Sequence, residues 1–205
     1  LNNIQIEGIF SHLSRSDSNL EVDIEFTKQQ ISNFDFILNK LKEDGYNPKN
    51  IHLQNSYGIV TYRDLHYNLV RPGIILYGVP SDPLDDTLNH LPDNMKFEAP
   101  LSLRCKVAMV KEITQGESVG YGNNYTATEH VKVATITIGY ADGLSRLISK
   151  KDMKVLVNGK FAKQIGNVCM DQMMIDVSGI DVCEGDIVTL IGQDGGNYLS
   201  VNQIS

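Results

Sequence analysis

Arg71 stands in the run Val70-Arg71-Pro72-Gly73-Ile74-Ile75-Leu76-Tyr77-Gly78, whose other residues suit a strand buried on both faces. A guanidinium does not shed its charge in a protein, so an interior one needs a defined partner. Pro72 removes a backbone donor beside it and Gly73 removes a side chain, so the N–H groups of Gly73 and Ile74 can approach a ligand closely. The same run also reads as an edge strand with a solvated arginine. Ser56 follows a short apolar stretch and opens a helical one. A hydroxyl beside a helix N-terminus favours a phosphate, and it equally serves as a plain N-cap. Tyr121 lies between Gly120 and Gly122, the pattern of a tight, exposed tip. Its plain alternative is a loop tyrosine packed on a neighbour.

Those residues need elements to hold them. Ile4 to Leu13 reads as a strand ending near His12. From Ile24 to Leu41 the period becomes helical, with Ile31, Phe34, Leu38 and Leu41 on one face and Gly45 as a C-cap. Ile51 to Leu53 is a short strand, Ser56 the N-cap of a helix through Tyr62, and Val70 to Tyr77 the next strand. This alternation predicts a parallel α/β layout for residues 1–80, although three strands cannot close a barrel. Residues 81–100, rich in proline and polar side chains, read as a linker.

From residue 101 the pattern becomes all-β. Leu101, Leu103, Cys105, Val107 and Met109 alternate with more polar neighbours. Val131–Ile138, Met173–Val177 and Ile187–Ile191 are further strands, and Gly192 to Asn197 a loop. Asn158-Gly159 inside Val155–Phe161 is a strong hairpin signal.

The net charge of −7 and a sequence pI near 5.2 argue against nucleic acid as a partner. No apolar run approaches the ~20 residues of a membrane helix. Cys105, Cys169 and Cys183 form neither a disulfide framework nor a zinc pattern, which predicts reduced, mostly buried thiols in a cytoplasmic protein. The five histidines are scattered, and no metal site is expected.

Arg71-Pro72-Gly73-Ile74-Ile75-Leu76-Tyr77-Gly78 resembles the last barrel strand of the alanine racemase family, fold-type III enzymes that use pyridoxal 5′-phosphate (PLP). His52-Leu53-Gln54-Asn55-Ser56, Gly120-Tyr121-Gly122 through Tyr125-Thr126-Ala127, Ile138-Gly139-Tyr140-Ala141-Asp142-Gly143 and Gly166-Asn167-Val168-Cys169-Met170-Asp171-Gln172 agree with the same family, in its order. Ordered matches across nearly the whole chain are far more specific than one short motif. The resemblance implies the last three β/α units of a TIM-type barrel followed by a β-barrel-like domain. It gives the PLP phosphate to Ser56 and to backbone groups at Gly73 and Ile74. Arg71 would face the pyridine nitrogen, with His12 and His52 in the hydrogen-bonded shell around it; taken alone, either histidine reads as a core or strand-end residue. Tyr121 would be one of two catalytic bases, reaching into the other subunit of a homodimer. A phenol ordinarily titrates near ~10, so that role calls for positive charge nearby, and Arg71 acting through a histidine is the expected source. Tyr140 would line the mouth of the site, and Met170 and Asp171 would lie near the substrate carboxylate. Without the resemblance, Met170 reads as a buried residue of a β core.

The family's PLP lysine belongs to a Lys-Ala-Asn-Ala-Tyr-Gly-type motif that does not occur in these 205 residues. The expectation is a fragment that is inactive alone, from an enzyme interconverting L- and D-alanine for peptidoglycan precursors. His52 to Gly58, with Tyr57-Gly58 where most members have small residues, is also similar to serine racemases of vancomycin-resistance type and leaves a serine or broad-specificity racemase as the alternative. An alternative of another class is a non-catalytic β-domain interaction module.

Overall fold

The computed structural model describes residues 3–79 and 97–203. Its chain forms two units, Leu1–Pro100 and Leu101–Ser205. Most of the expected 81–100 linker lies outside the described residues.

In the first unit, β1 (Gly8–Phe10) pairs in parallel with β2 (Asn50–His52), and α1 (Glu21–Glu43) connects them. The expected strand over Ile4–Leu13 shrinks to three residues. The helix is longer than the periodicity predicts. Ser18 Oγ donates to Asp23 Oδ2 at 2.6 Å and Arg15 Nη1 to Asp23 Oδ1 at 2.8 Å, which ties the segment before the helix to its first turn. Phe34 and Leu38 from its apolar face pack with Leu13 and Leu53 as the core of this unit. Gly45 follows the helix at φ +84°, a left-handed conformation that suits glycine. Burying a leucine or phenylalanine is worth about 1.5–3 kcal/mol, so these side chains fix α1 against the two strands.

The helix α2 spans Ser56–Thr61, and its N-cap is Asn55, not Ser56. Asn55 Oδ1 accepts from the Gly58 N–H at 2.9 Å. That displaces the expected cap by one residue and frees Ser56 for another task. The expected strand over Val70–Tyr77 is also corrected. Parallel pairing is limited to a single bridge between His52 and Leu69, and Ile74–Tyr77 is a turn of 3₁₀ helix. Pro72 cannot donate to a ladder, and Gly73 (φ −119°, ψ −100°) turns the chain out of the extended region. Val70, Ile74, Leu76 and Tyr77 are exposed in consequence.

The second unit is an antiparallel barrel. Its strands are β3 (Leu103–Ile113), β4 (Ser118–Val119), β5 (Tyr125–Thr126), β6 (Val131–Ile136), β7 (Lys154–Val157), β8 (Lys160–Ile165), β9 (Met173–Asp176), β10 (Ile187–Asp194) and β11 (Asn197–Leu199). The order β11-β10-β3-β6-β9-β8-β7 closes on itself because β10 also pairs with β7, through Val188–Val157 and Thr189–Leu156. Closure leaves few free edges. Val155, Val157, Ile175, Val188 and Leu190 fill the inside. Asn158 (φ +49°) and Gly159 (φ +72°) make the β7–β8 turn, as expected of Asn-Gly.

Two strand readings need correction here. The alternation from Leu101 does not reach Met109, which is exposed, because a bulge between Val107 and Met109 shifts the phase so that Val110 packs against the core instead. The expected loop from Gly192 to Asn197 is a hairpin: β10 runs to Asp194, and β11 starts at Asn197. The cysteines are free, as expected, but they are not mostly buried. Cys105 and Cys169 are half-buried and Cys183 is exposed.

Candidate active site

The sequence-predicted residues fall into two groups, one in each unit. In the first unit the group is built around Arg71. Nη1 donates to His52 Nδ1 at 2.5 Å and to the His52 carbonyl at 3.2 Å. Nη2 donates to the Ser11 carbonyl at 2.7 Å and the Leu53 carbonyl at 3.2 Å, and lies 3.3 Å from His12 Nδ1. The reading of a solvated edge-strand arginine is therefore overturned. A guanidinium has no acceptor, so His52, and His12 where it bonds, accept through Nδ1 and carry hydrogen on Nε2. The ends of β1 and β2 put these groups together. Ser11 and His12 follow the first strand, His52 ends the second, and the bridge at Leu69 delivers Arg71 beside them.

Phe10, which sequence reasoning left out, stacks on His52 with ring centroids 5.2 Å apart and planes 7° from parallel. Arg71 Cζ lies 5.5 Å from the Phe10 centroid, within cation–π range. Phe10 and His52 are opposed in the parallel register, a relation invisible before the strands are paired.

The Gly73 N–H donates to Ser56 Oγ at 2.9 Å. This bond occupies the Gly73 donor but leaves the hydroxyl hydrogen of Ser56 available. A Cβ on Gly73 would stand 3.4 Å from Ser56 Oγ and fill the space facing it. Ile74 begins the 3₁₀ turn, where backbone N–H groups have no partner within the turn.

These residues fit PLP. The group needs donors for a phosphate and a partner for a ring nitrogen, and both kinds are present within one short stretch. Both terminal nitrogens of Arg71 are committed to protein acceptors, while among the described residues Nε takes none.

In the second unit Tyr121, Tyr140, Met170 and Asp171 line one hollow of about 660 Å³, together with Arg146 and Gln172. Tyr121 is 71% exposed, and Gly120 and Gly122 both adopt φ +77°, so the expected tight tip is present. The segment at Tyr140 is docked on the segment at Met170. The Tyr140 N–H donates to the Cys169 carbonyl at 3.0 Å and the Ala141 N–H to the Met170 carbonyl at 2.9 Å. A Cβ on Gly139 would come within 2.3 Å of the Met170 carbonyl oxygen, which explains the glycine there. Met170 is 56% exposed, so its reading as a buried core residue is corrected; Met173, two positions past Asp171, takes the core place instead.

A second hollow, of about 440 Å³, adjoins the other side of Tyr121 and includes Lys111, Thr135 and Met174. Sequence reasoning missed Arg146 and Lys111, the cations lining the two hollows. Arg146 had a signal, since it follows the Gly139–Gly143 stretch by three residues, at the start of the next 3₁₀ turn. Lys111 had none, being one of several strand lysines. Among the described residues, no group of three or more His, Cys, Asp or Glu converges as a metal site would, and no helix is long and apolar enough to cross a membrane.

An α/β unit with an arginine held at the ends of two parallel strands, followed by a closed β domain, defines the class to which comparison with known proteins leads. The family model "Alanine racemase, N-terminal domain" matches residues 1–81 and "Alanine racemase, C-terminal domain" matches residues 100–205. The chain belongs to the alanine racemase family. It is 39% identical over 207 aligned residues to the alanine racemase of Citrifermentans bemidjiense, covering 99% of this chain and 52% of that protein. It is 36% identical to that of Methanococcus maripaludis, again with 99% and 52% covered. The crystal structure of alanine racemase from Bacillus anthracis with bound L-Ala-P superposes with a TM-score of 0.84 at 34% identity, over 97% of this chain and 49% of that one. The chain thus spans about half the length of the curated relatives it matches.

Proposed function

We propose that these residues belong to a PLP-dependent racemase that interconverts L- and D-alanine for peptidoglycan precursors, working in the cytoplasm as a homodimer. The observation that carries this reading is the Arg71 cluster, in which a charged group within an apolar strand-like run is held by the ends of two parallel strands and by two histidines. Bound there, PLP supplies a sink for negative charge at the substrate Cα.

The chain's own residues do the rest. The Ser56 hydroxyl and backbone groups at Gly73 and Ile74 would hold the phosphate. Arg71 would face the ring nitrogen as a donor, and a guanidinium cannot give up its own proton to it. This limits how strongly charge leaves Cα and favours returning the proton over side reactions. Tyr121 holds or moves the proton on one face of Cα, in the site of the partner subunit. The second base, a lysine, lies in a family motif outside these 205 residues. The Met170 N–H donates to the substrate carboxylate, with Asp171 beside it, and Tyr140 narrows the mouth against water.

Alanine is preferred to serine because the relatives at 36–39% identity are alanine racemases; Gly58 is no argument for serine, since a Cβ there would meet Leu13 Cδ1 at 2.9 Å. The test is the full-length gene product with added PLP. A cofactor absorption band and interconversion of alanine faster than serine are expected. Faster serine turnover would give the alternative substrate, and no band or turnover would leave an interaction module.

A further inference from the structure

Tyr121 sits on a tip that little local structure holds. The two-stranded ladder beneath it has two residue pairs, Ser118–Thr126 and Val119–Tyr125. Above that ladder Tyr121–Asn123 make a single 3₁₀ turn between Gly120 and Asn124, with Gly120 and Gly122 at φ +77° and Asn123 at φ +50°. Placement of the phenol must come from outside the tip.

It comes from the segment after β8. The side-chain amide of Asn167 donates from Nδ2 to the Tyr121 carbonyl at 2.7 Å, across 46 residues of sequence. The backbone beside it also touches the tip. A Cβ on Gly120 would lie 3.3 Å from Asn167 N and 3.0 Å from Met174 Cε, and one on Gly166 would lie 2.7 Å from the Val119 carbonyl oxygen. The two segments therefore meet without side chains between them, and the amide crosses the join. Asn167 is in turn well anchored. The next residue, Val168, is buried and its N–H donates to Ser149 Oγ at 2.8 Å. Cys169 Sγ lies 3.6 Å from the Asn167 carbonyl.

We infer that Asn167 is a positioning residue for Tyr121: its amide fixes the tip carbonyl and thereby aims the phenol into the hollow shared with Tyr140 and Asp171. The inference rests on the proposed base role of Tyr121. Asn167 touches neither the phenol nor the reacting atoms in this role. It acts on the backbone, so its loss should misplace the hydroxyl without removing it. Misplacing a reacting group by about 1 Å can cost ~10²-fold in rate.

The experiment compares full-length Asn167→Ala, Asn167→Asp and Tyr121→Phe enzymes and the Asn167→Ala/Tyr121→Phe double variant, with PLP, in deuterated solvent. Wash-in of deuterium at Cα is read separately for the L- and D-alanine pools, because overall racemisation must obey the equilibrium in both directions. In Asn167→Ala the L-pool wash-in should fall about 10- to 100-fold and the D-pool wash-in far less, with KM within about twofold. Asn167→Asp keeps the shape but has no N–H to donate, so it should match Asn167→Ala. In the Tyr121→Phe background, Asn167→Ala should cost nothing further. Equal losses in both pools, parent-like rates in Asn167→Asp, or a full additional loss in the double variant would each overturn the inference. If Tyr121→Phe itself spares the L pool, the base role of Tyr121 has failed, and with it the footing of this inference. An L-selective loss in Tyr121→Phe with a parent-like Asn167→Ala overturns the positioning role alone.

Discussion

Arg71 donates from Nη1 to Nδ1 of His52 while Nη2 binds the carbonyl of Ser11, so one side chain joins the ends of both parallel strands of the first unit. Hydrogen bonds to a charged donor contribute roughly 1.5–3 kcal/mol each, and losing the donor leaves acceptors unmatched.

Arg71→Glu in the full-length enzyme replaces donors by an acceptor. A carboxylate stabilises a proton on the ring nitrogen where a guanidinium cannot. The variant is expected to retain PLP and to develop, on mixing with alanine, a long-wavelength absorption band absent from the parent. A stopped-flow spectrum identical to the parent's would remove the assigned role of Arg71.

Ser56→Ala should weaken PLP binding about 10- to 100-fold, the equivalent of one hydrogen bond to a charged group. Little else should change, because the bond lost within the protein is the single part-buried one from the Gly73 N–H. Equilibrium dialysis of the full-length protein gives the affinity and a melting curve gives the fold. A lowered melting temperature with unchanged affinity would make Ser56 a structural residue.

Tyr121→Phe removes a hydroxyl from a side chain that is 71% exposed, so folding should survive. A lost general base commonly costs ~10²–10⁴-fold in rate. Because the phenol is proposed to serve the partner's site, mixing full-length Tyr121→Phe with a full-length variant lacking the PLP lysine should restore part of the activity: one site of a mixed dimer is then intact. Mass spectrometry showing mixed dimers that stay inactive would defeat the exchange of Tyr121 between subunits.

Asp186 offers a pH test in the β domain. The Cys183 N–H foremost, then the Asn158 amide and the Cys183 thiol, hold its carboxyl below the usual carboxylate range. A carboxylate with a depressed folded value adds stability above its unfolded value, near ~3.9, and loses it as pH falls through the lower folded one. Melting temperature should therefore drop on acidification in that window, and less steeply in Asp186→Asn. The same carboxylate raises the Cys183 thiol, so Asp186→Asn should speed alkylation of Cys183 at mildly alkaline pH. Cys105, pushed up to about 12 chiefly by burial, should stay unreactive in both proteins. Iodoacetamide labelling followed by peptide mapping measures both thiols.

The sequence by itself determined the local outcomes. Asn158-Gly159 turns a hairpin, the 3.6 period of Phe34 and Leu38 buries one face of a helix, and Gly120-Tyr121-Gly122 makes an exposed tip, each as its local pattern reads. It also marked Arg71 and Ser56 as residues in want of partners, since charge and hydrogen-bonding capacity belong to the residue type. Only the tertiary structure decided which partners they met. Ser56 lost its capping role to Asn55 and faced Gly73, Arg71 found carbonyls 18 to 60 residues away, and the strand expected after it gave way to a 3₁₀ turn. Phe10 reached His52 through the parallel register, and Asn167 reached Tyr121 across two barrel segments. Such pairings depend on strand order and on bulges such as that at Val107, which shift a whole face by one residue. Composition and periodicity describe one segment at a time, so they carry no information about which segments meet.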